Sequence, residues 1–293
     1  MWNQSRLCYT CPIMSRNANR KVVKRGGQEE LFVPEKLCGS IKMAGAADSL
    51  ADQVCGIVAD SIESGVSTDK IFTTTRRYLA NFDPKIAALY ALERGLGALG
   101  PSGFLFEQYV ASLFREMGYD VRMNVYVLGE GVEHEIDVWA EKGNVVFIVE
   151  AKYRNDYKTK THINTVMYAD ARLGDIRRRA NKSGDHREYY MWVVTNTQFT
   201  EAAVSYVGHR DLQLMGWDYP KYINLMKIVS DKKLYPVTIL PSITQKALKG
   251  LAADGIVLIK SLAGMKAADY VKHYGLSESL AEKLEREVAE LVD

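Results

Sequence analysis

Three charged residues at the ends of two apolar runs form the most informative pattern in the chain. Asp137 closes the segment HEID, and Glu150 and Lys152 follow the apolar run 145–149. Because side chains alternate between the two faces of a strand, Glu150 and Lys152 project from the same face. A hairpin that turns near Gly143 would bring Asp137 alongside them. The sequence therefore predicts a cluster of two carboxylates and one ammonium group.

Such a cluster suits the hydrolysis of phosphodiester bonds. Two close carboxylates bind a hard divalent cation such as Mg²⁺ or Mn²⁺, which keeps several water ligands. The cation would lower the pKa of a bound water, and Lys152 would orient that water or offset developing negative charge. The alternative is a salt bridge at a sheet edge, since Glu-x-Lys occurs by chance in many strands.

The order of these residues resembles the PD-(D/E)XK nuclease superfamily, in its Mrr-type restriction endonuclease-like branch. In that branch a helix bearing a Glu precedes an Asp strand and a (D/E)-x-K strand, and Glu107 in GFLFEQYVASLF falls on the helix. The resemblance covers roughly residues 100–220 and includes VVTNTQFTEAAVSYVGHRDLQLMGW. It implies an Mg-dependent endonuclease acting on DNA. The implied catalytic residues are Asp137, Glu150, Lys152 and Glu107, and the implied metal ligands are Asp137, Glu150 and Ala151.

Two further groups lie near this motif. His134 is a secondary candidate because it is three residues from Asp137, although a surface position in the hairpin is the simpler interpretation. A basic segment follows the motif, and it either contacts phosphates or forms a solvated helix face. Its members are Lys158, Lys160, Arg172, Arg177, Arg178, Arg179 and Lys182.

Residues 21–82 resemble the ATP-cone, a nucleotide-sensing domain of ribonucleotide reductases and their repressor. The matching segments are VVKRGGQEELFVPEKL and GVSTDKI, although Gly26 stands where the family commonly has Asp. The resemblance implies that ATP or dATP binds as an effector, with Lys24, Arg25 and Lys36 on its phosphates. The full implied set is Val22, Lys24, Arg25, Glu30, Lys36 and Thr68. The alternative is that KRGG is an ordinary hairpin turn.

The pattern of apolar residues predicts an α/β protein with several domains. A leader (1–20) precedes a small α+β ATP-cone of hairpin and helices (21–82), in which Thr68 is the predicted N-cap of a helix. A helical connector (83–99) leads to a mixed sheet flanked by helices (100–238). The last region (239–293) is helical and weakly resembles helix-hairpin-helix DNA-binding elements, with a plain packing or dimerisation role as the alternative. No sequence repeat is found.

Composition adds only broad limits. The 293 residues carry a net charge of +2 and include no apolar run near the roughly 20 residues of a membrane helix. A cytoplasmic protein that forms a homo-oligomer is expected. Cys8 and Cys11 form half of a zinc site or an inert thiol pair, whereas Cys38 and Cys55 are predicted core residues.

Two functions follow from these patterns. The first is a DNA endonuclease that responds to adenine nucleotides. The second is a nucleotide-sensing regulator whose nuclease-like domain binds nucleic acid without cutting it.

Overall fold

The structure is a computed structural model that describes residues 20–24, 26–100, 103–156 and 159–292. The chain divides into two compact units, Met1–Ala91 and Leu92–Asp293. Arg25 and the pair Cys8 and Cys11 lie outside the described residues, so their predicted roles remain predictions. Among the described helices, none has both the length and the apolar character needed to cross a bilayer.

The first unit contains a small three-stranded sheet and helices. Its strands are β1 (Lys21–Val23), β2 (Glu29–Leu31) and β3 (Val66–Ser67), in the order β2-β1-β3. β1 is antiparallel to β2 and parallel to β3. The helices are α1 (Pro34–Met43), α2 (Asp48–Ser61), α3 (Thr68–Phe82) and α4 (Pro84–Leu96), the last of which continues past Ala91. The predicted hairpin is confirmed, and its turn includes Gly27 with a φ of 78°.

Two local predictions in this unit need correction or extension. The N-cap of α3 is Ser67 and not Thr68, because the Ser67 side chain accepts the bond from the Lys70 backbone N–H. Cys55 is fully buried and Cys38 packs against the same cluster, as predicted. The two also form a disulfide with a Cα–Cα distance of 5.3 Å, which the sequence did not indicate.

The second unit is built on a five-stranded mixed sheet. The strands are β4 (Asp120–Leu128), β5 (Glu133–Lys142), β6 (Val145–Lys152), β7 (Glu188–Thr195) and β8 (Leu212–Met215), paired in that order. β4, β5 and β6 are antiparallel neighbours, whereas β6, β7 and β8 are parallel. The helices α5 (Phe104–Glu116), α6 (Ile163–Ser183) and α7 (Glu201–Val207) accompany them.

Helices cover both faces of this sheet. On one face, Leu173 and Ile176 of α6 join a buried cluster with Ile148 and Met191 of the strands. On the other face, Phe114 of α5 packs against aromatic rings of β6 and β7. A central strand buried on both faces must be apolar throughout, as the run in β6 is. The predicted mixed sheet flanked by helices is confirmed.

The C-terminal region contains a repeated unit that the sequence does not reveal. After α8 (Leu225–Asp231), a short 3₁₀ helix (Val237–Ile239) leads to α9 (Gln245–Ala253), and a second one (Ile259–Leu262) leads to α10 (Ala267–Tyr274). The segments that lead into the two 3₁₀ helices pair with each other, since Val237 N–H donates to Val257 O and Ile259 N–H donates to Tyr235 O. α11 (Glu278–Val292) follows the second unit.

This region packs directly on α5. The Gln108 side chain donates to the Ala252 carbonyl at 3.1 Å, and the buried Tyr109 hydroxyl donates to the Leu234 carbonyl at 2.8 Å. The two donors follow Glu107 by one and two residues in the chain. The C-terminal region therefore braces the helix that carries one candidate catalytic residue.

Candidate active site

Asp137 lies where strand β5 loses regular pairing on both sides. The pairing of β5 with β6 includes Val138 opposite Val149 but does not extend to Asp137. On the β4 side, the residue opposite Asp137 is Asn124, which is skipped by the pairing and has a φ of 50°. The strands are thus locally irregular at the position of the acidic residue.

This irregularity frees a backbone donor for the Asp137 carboxylate. The Ala151 N–H donates to Asp137 Oδ2 at 2.8 Å, where a regular ladder would offer it a carbonyl. The alternation of β5 also changes here, because Ile136 and Trp139 belong to the same buried cluster although they are three residues apart. The Asp137 side chain is therefore held in place by β6.

Glu150 provides the second carboxylate and is tied to helix α6. Its Oε2 atom accepts from Arg172 Nη1 at 2.6 Å, and both side chains are largely buried. Burial, and next the Glu150 charge, raise the pKa of Asp137 to about 7, while the Ala151 N–H and the Arg172 charge oppose that rise. The two carboxylates are thus close enough to repel each other.

Glu107 joins the same electrostatic cluster from the first turn of α5. Burial raises the pKa of its carboxyl group, and the charges of Glu135 and Glu150 raise it further. Three carboxylates predicted to act together, those of Glu107, Asp137 and Glu150, therefore influence one another in the structure. Among the described residues, Arg172 is the cation that interacts with them directly.

Lys152 is positioned by a group of threonines that sequence reasoning missed. The buried Thr195 hydroxyl donates to the Lys152 carbonyl at 2.8 Å and accepts from the Thr161 hydroxyl at 3.2 Å. Nearby, the Thr197 hydroxyl donates to the Thr159 carbonyl. Within the described part of the chain, the Lys152 ammonium forms no ion pair. Its charge is therefore available to a ligand.

The basic segment of α6 is mostly engaged by protein acceptors. Arg177 donates to the Tyr189 carbonyl and to Asp211, and Arg172 is bound to Glu150. Arg178 and Lys182 share Glu130. This pairing favours the solvated face over the predicted phosphate contacts. Arg179 and Lys160 are exposed, and Lys158 lies outside the described residues.

His134 binds Asp175 and not the carboxylate cluster. Its Nε2 atom is 2.9 Å from Asp175 Oδ2. Asp175 also accepts from the Gly131 and Val132 backbone N–H groups. The His134 hydrogen bond is the largest of several that lower the pKa of Asp175 to about 2. The pair fastens the β4–β5 connection to α6.

The predicted nucleotide-site residues of the first unit occupy different environments. The Val22 side chain is buried in the core, so it would reach a ligand only through its backbone. Lys24 pairs with Glu30, whereas Lys36 is exposed. Because Val23 of β1 pairs with Ser67 of the parallel β3, Lys24 and Thr68 follow at the same ends of adjacent strands.

The donor set around Asp137 suits a hard divalent cation. In the described part of the chain, no group of three or more His, Cys, Asp or Glu side chains is arranged to hold a metal ion. Mg²⁺ needs fewer, since proteins commonly bind it through one or two carboxylates plus water and phosphate oxygens. Burial and the charge of Glu150 disfavour ionised Asp137, and a divalent cation would relieve that cost. Asp137, Glu150 and the Ala151 carbonyl therefore fit Mg²⁺ or Mn²⁺.

Comparison with known proteins identifies two regions of the chain. Residues 100–226 match the family described as Restriction endonuclease, and residues 235–292 match the family described as AF1548-like, C-terminal. Both matches lie within the second unit, so the ATP-cone resemblance of residues 21–82 stays a prediction.

An uncharacterized protein of Archaeoglobus fulgidus is 31% identical over 183 residues, which cover 62% of this chain and 99% of the relative. The solved structure described as a protein of unknown function, AF1548, has a TM-score of 0.55 and 30% identity, covering 65% of this chain and 98% of that one. A complex of the MspJI restriction endonuclease with a 27-mer oligonucleotide has a TM-score of 0.29 and 13% identity, covering 80% of this chain and 48% of that one, which is too weak to support an inference. The chain belongs to the AF1548-like family, and its residues 100–226 form a restriction endonuclease-like domain.

Proposed function

We propose that the protein is a metal-dependent DNA endonuclease of the PD-(D/E)XK type. The observation that carries the proposal is the buried pair of Asp137 and Glu150, placed at a break in the sheet of a restriction endonuclease-like domain. A salt bridge at a sheet edge would pair each carboxylate with a cation. Here Glu150 pairs with Arg172, but Asp137 forms no ion pair within the described part of the chain; it accepts the Ala151 N–H, and its pKa is raised to about 7.

Each residue of the cluster has a distinct role in this proposal. Asp137 and Glu150, with the Ala151 carbonyl, would hold Mg²⁺ or Mn²⁺, which when bound supplies an acidified water and stabilises charge on the phosphoryl group. Lys152 donates hydrogen bonds to the attacking water or to a phosphate oxygen. Glu107 approaches from α5 and accepts a proton or orients a water. Arg172 fixes the orientation of Glu150.

Nicking of supercoiled plasmid in Mg²⁺ or Mn²⁺ tests this function directly. We expect Asp137→Ala and Lys152→Ala each to reduce nicking by on the order of a hundredfold or more, because each removes a charge that acts on the reacting phosphate. Arg179→Ala is the matched control, since it removes an exposed cation from the same unit. Equal nicking by the wild type and both site variants would end the nuclease proposal.

Calorimetric titration separates the roles of the two residues. Asp137→Ala should weaken Mg²⁺ binding, whereas Lys152→Ala should largely spare it, because an ammonium group cannot ligate a cation. A wild-type protein that binds DNA but cuts it in neither metal would favour the alternative function, a regulator with a non-cutting nuclease-like domain.

An adenine nucleotide is proposed as the effector. The support is the ATP-cone resemblance together with the position of Lys24 next to Thr68, the first residue of α3. The N-terminus of a helix favours anions, and Lys24 would add a positive charge there. ATP hydrolysis is not expected, because the sequence has no GxxxxGK[ST] loop.

A further inference from the structure

A cleft of about 310 Å³ opens beside the carboxylate cluster, between α6 and the connection from β4 to β5. Val132 and His134 line it from the strand side, and Tyr168, Arg172 and Arg178 line it from the helix. Arg172 is shared with the proposed active site, because the same guanidinium donates to Glu150 at 2.6 Å. A ligand in this cleft would therefore lie next to the reacting phosphate.

The cleft keeps its shape without a ligand. Asp175 accepts from the Gly131 N–H at 3.0 Å, from His134 at 2.9 Å and from Arg178 at 3.2 Å. These bonds join both walls, so little ordering is required when a ligand binds. The Asp175 carboxylate is occupied by these donors and is not available as a metal ligand or a general base.

Tyr168 gives the cleft an exposed aromatic wall. Tyr168 is 66% exposed although tyrosine usually buries its ring, and Val132, which also lines the cleft, is 59% exposed. The Arg172 guanidinium lies 5.2 Å from the centre of the Tyr168 ring. Aromatic rings and arginine planes are the surfaces on which proteins stack unpaired bases.

The volume of the cleft limits which part of a nucleic acid can bind in it. Small-molecule sites span roughly 300 to 1,000 Å³, so this cleft accepts one planar heterocycle. It is too small for a base pair with its backbone. The two cations that line the cleft are already paired, Arg172 with Glu150 and Arg178 with Glu130 and Asp175. The planar base, and not a phosphate, is therefore the group that the cleft would take.

We propose that this cleft binds one unpaired nucleobase of the DNA strand whose backbone lies at Asp137 and Glu150, with the base stacked on Tyr168. The proposal rests on the proposed nuclease function for its choice of DNA strand. The base is unpaired either because the strand is single or because it is flipped out of a duplex. Arg172 then contacts both Tyr168, on which the base stacks, and Glu150, which would hold the metal.

Equilibrium binding in EDTA tests the cleft without any cutting. The probes are a fluorescent single-stranded 12-mer and a 12-mer of abasic residues that carries the same charge. Wild-type protein should bind the base-bearing strand about tenfold more tightly, the effect expected of one stacked base. Tyr168→Ala should lose this preference and bind the abasic strand like the wild type. Tyr168→Phe and the control Tyr222→Ala, which removes another exposed tyrosine, should keep it.

Affinity for a duplex with one central mismatch, compared with affinity for its matched duplex, shows whether the bound base is flipped out of a duplex or belongs to a single strand. A Tyr168-dependent preference for the mismatched duplex supports flipping, and a preference confined to the single strand supports a single-stranded substrate. The proposal is overturned if wild type binds base-bearing and abasic strands equally, or if Tyr168→Ala keeps the full preference. Because plasmid nicking is measured separately from DNA binding, a failure of the nuclease proposal can be distinguished from a failure of the base-binding proposal.

Discussion

A carboxyl group that holds its proton up to about pH 7, as Asp137 does, couples folding to pH. An aspartate in an unfolded chain has a pKa near 3.9, so between about pH 4 and pH 7 the folded state holds a proton that the unfolded state has released. Because the unfolded state binds fewer protons, the free energy of unfolding of the metal-free protein falls as pH rises through this window. The carboxylate pair thus destabilises the fold at neutral pH, where it would serve the reaction.

Asp137→Asn removes this cost while keeping an oxygen acceptor for the Ala151 N–H. At pH 8 in EDTA, we expect the variant to unfold at a higher urea concentration than the wild type. The corresponding gain in the free energy of unfolding is about 1 to 4 kcal/mol. The difference should shrink toward pH 4. Tryptophan fluorescence reports mainly on the relevant unit, since three of the four tryptophans, Trp139, Trp192 and Trp217, lie in it. A difference that is independent of pH would contradict the assignment of the titration to Asp137.

Arg172 links the carboxylates to α6, and its removal should change both metal binding and its pH dependence. Arg172→Gln deletes a charge that lowers the pKa of Asp137, so the pKa rises further and Mg²⁺ binding requires a higher pH. Loss of a group that orients a metal ligand commonly costs about 10- to 100-fold in affinity or activity. Calorimetric Mg²⁺ titrations from pH 6 to pH 9 measure both effects. Arg179→Gln, an exposed change on the same helix, should leave the profile unmoved; equal profiles for both variants would exclude this role.

At the scale of elements, most of what could be predicted came from local sequence patterns within single helices and strands. The alternation in β6 predicted that Glu150 and Lys152 share one face, and the burial of β6 agrees, since both are half-buried on either side of the buried Ala151. The N-cap of α3 was misplaced by one residue because Ser67 and Thr68 are both good caps, and only the backbone geometry chooses between them.

Contacts between distant segments could not be read in the same way. Arg172 looked like part of a basic helix face, since nothing near it in the chain indicates Glu150, 22 residues away. The disulfide between Cys38 and Cys55 also required the packing of two helices. Sequence periodicity gives the face of an element but not its partner, so the carboxylate motif was foreseeable and its supports were not.

The threonine group at the ends of β6 and β7 is such a support, and it makes a prediction of its own. Thr195→Val removes the hydroxyl that donates to the Lys152 carbonyl, and it deprives that acceptor and the Thr161 hydroxyl donor of this partner. We expect a loss of about 1 to 3 kcal/mol in unfolding free energy. Plasmid nicking should fall while Mg²⁺ affinity stays near that of the wild type, because Lys152 is displaced and the carboxylates are not. Thr195→Ser should restore both properties, and a failure to do so would indicate a packing role for the methyl group.

At the scale of the whole molecule, the AF1548-like C-terminal region is part of the second unit and not an appendage. Gln108 donates to the Ala252 carbonyl of this region, Tyr109 donates to the Leu234 carbonyl just before it, and the Thr238 hydroxyl donates to the Gly95 carbonyl at 2.7 Å. Gln108 and Tyr109 are the two residues that follow Glu107. A Cβ atom on Gly95 would lie 2.2 Å from the Ile239 side chain, so this contact requires glycine. The restriction endonuclease-like core and the C-terminal region therefore form one packed body around α5.

The proposed nucleotide site of the first unit yields the last prediction, which is tested on the full chain. Each charge-assisted phosphate contact contributes about 1.5 to 3 kcal/mol, so Lys24→Ala with Lys36→Ala should weaken ATP or dATP binding by on the order of a hundredfold or more. The control, Lys21→Ala with Lys85→Ala, removes equal charge from the same unit and should bind normally. Calorimetry measures the nucleotide affinities, light scattering measures the oligomeric state with and without nucleotide, and plasmid nicking measures the effect on cutting. Because an effector shifts an equilibrium only by its differential affinity for two states, binding that changes neither assembly nor nicking would refute regulation. Absence of binding by the wild type would refute the site itself.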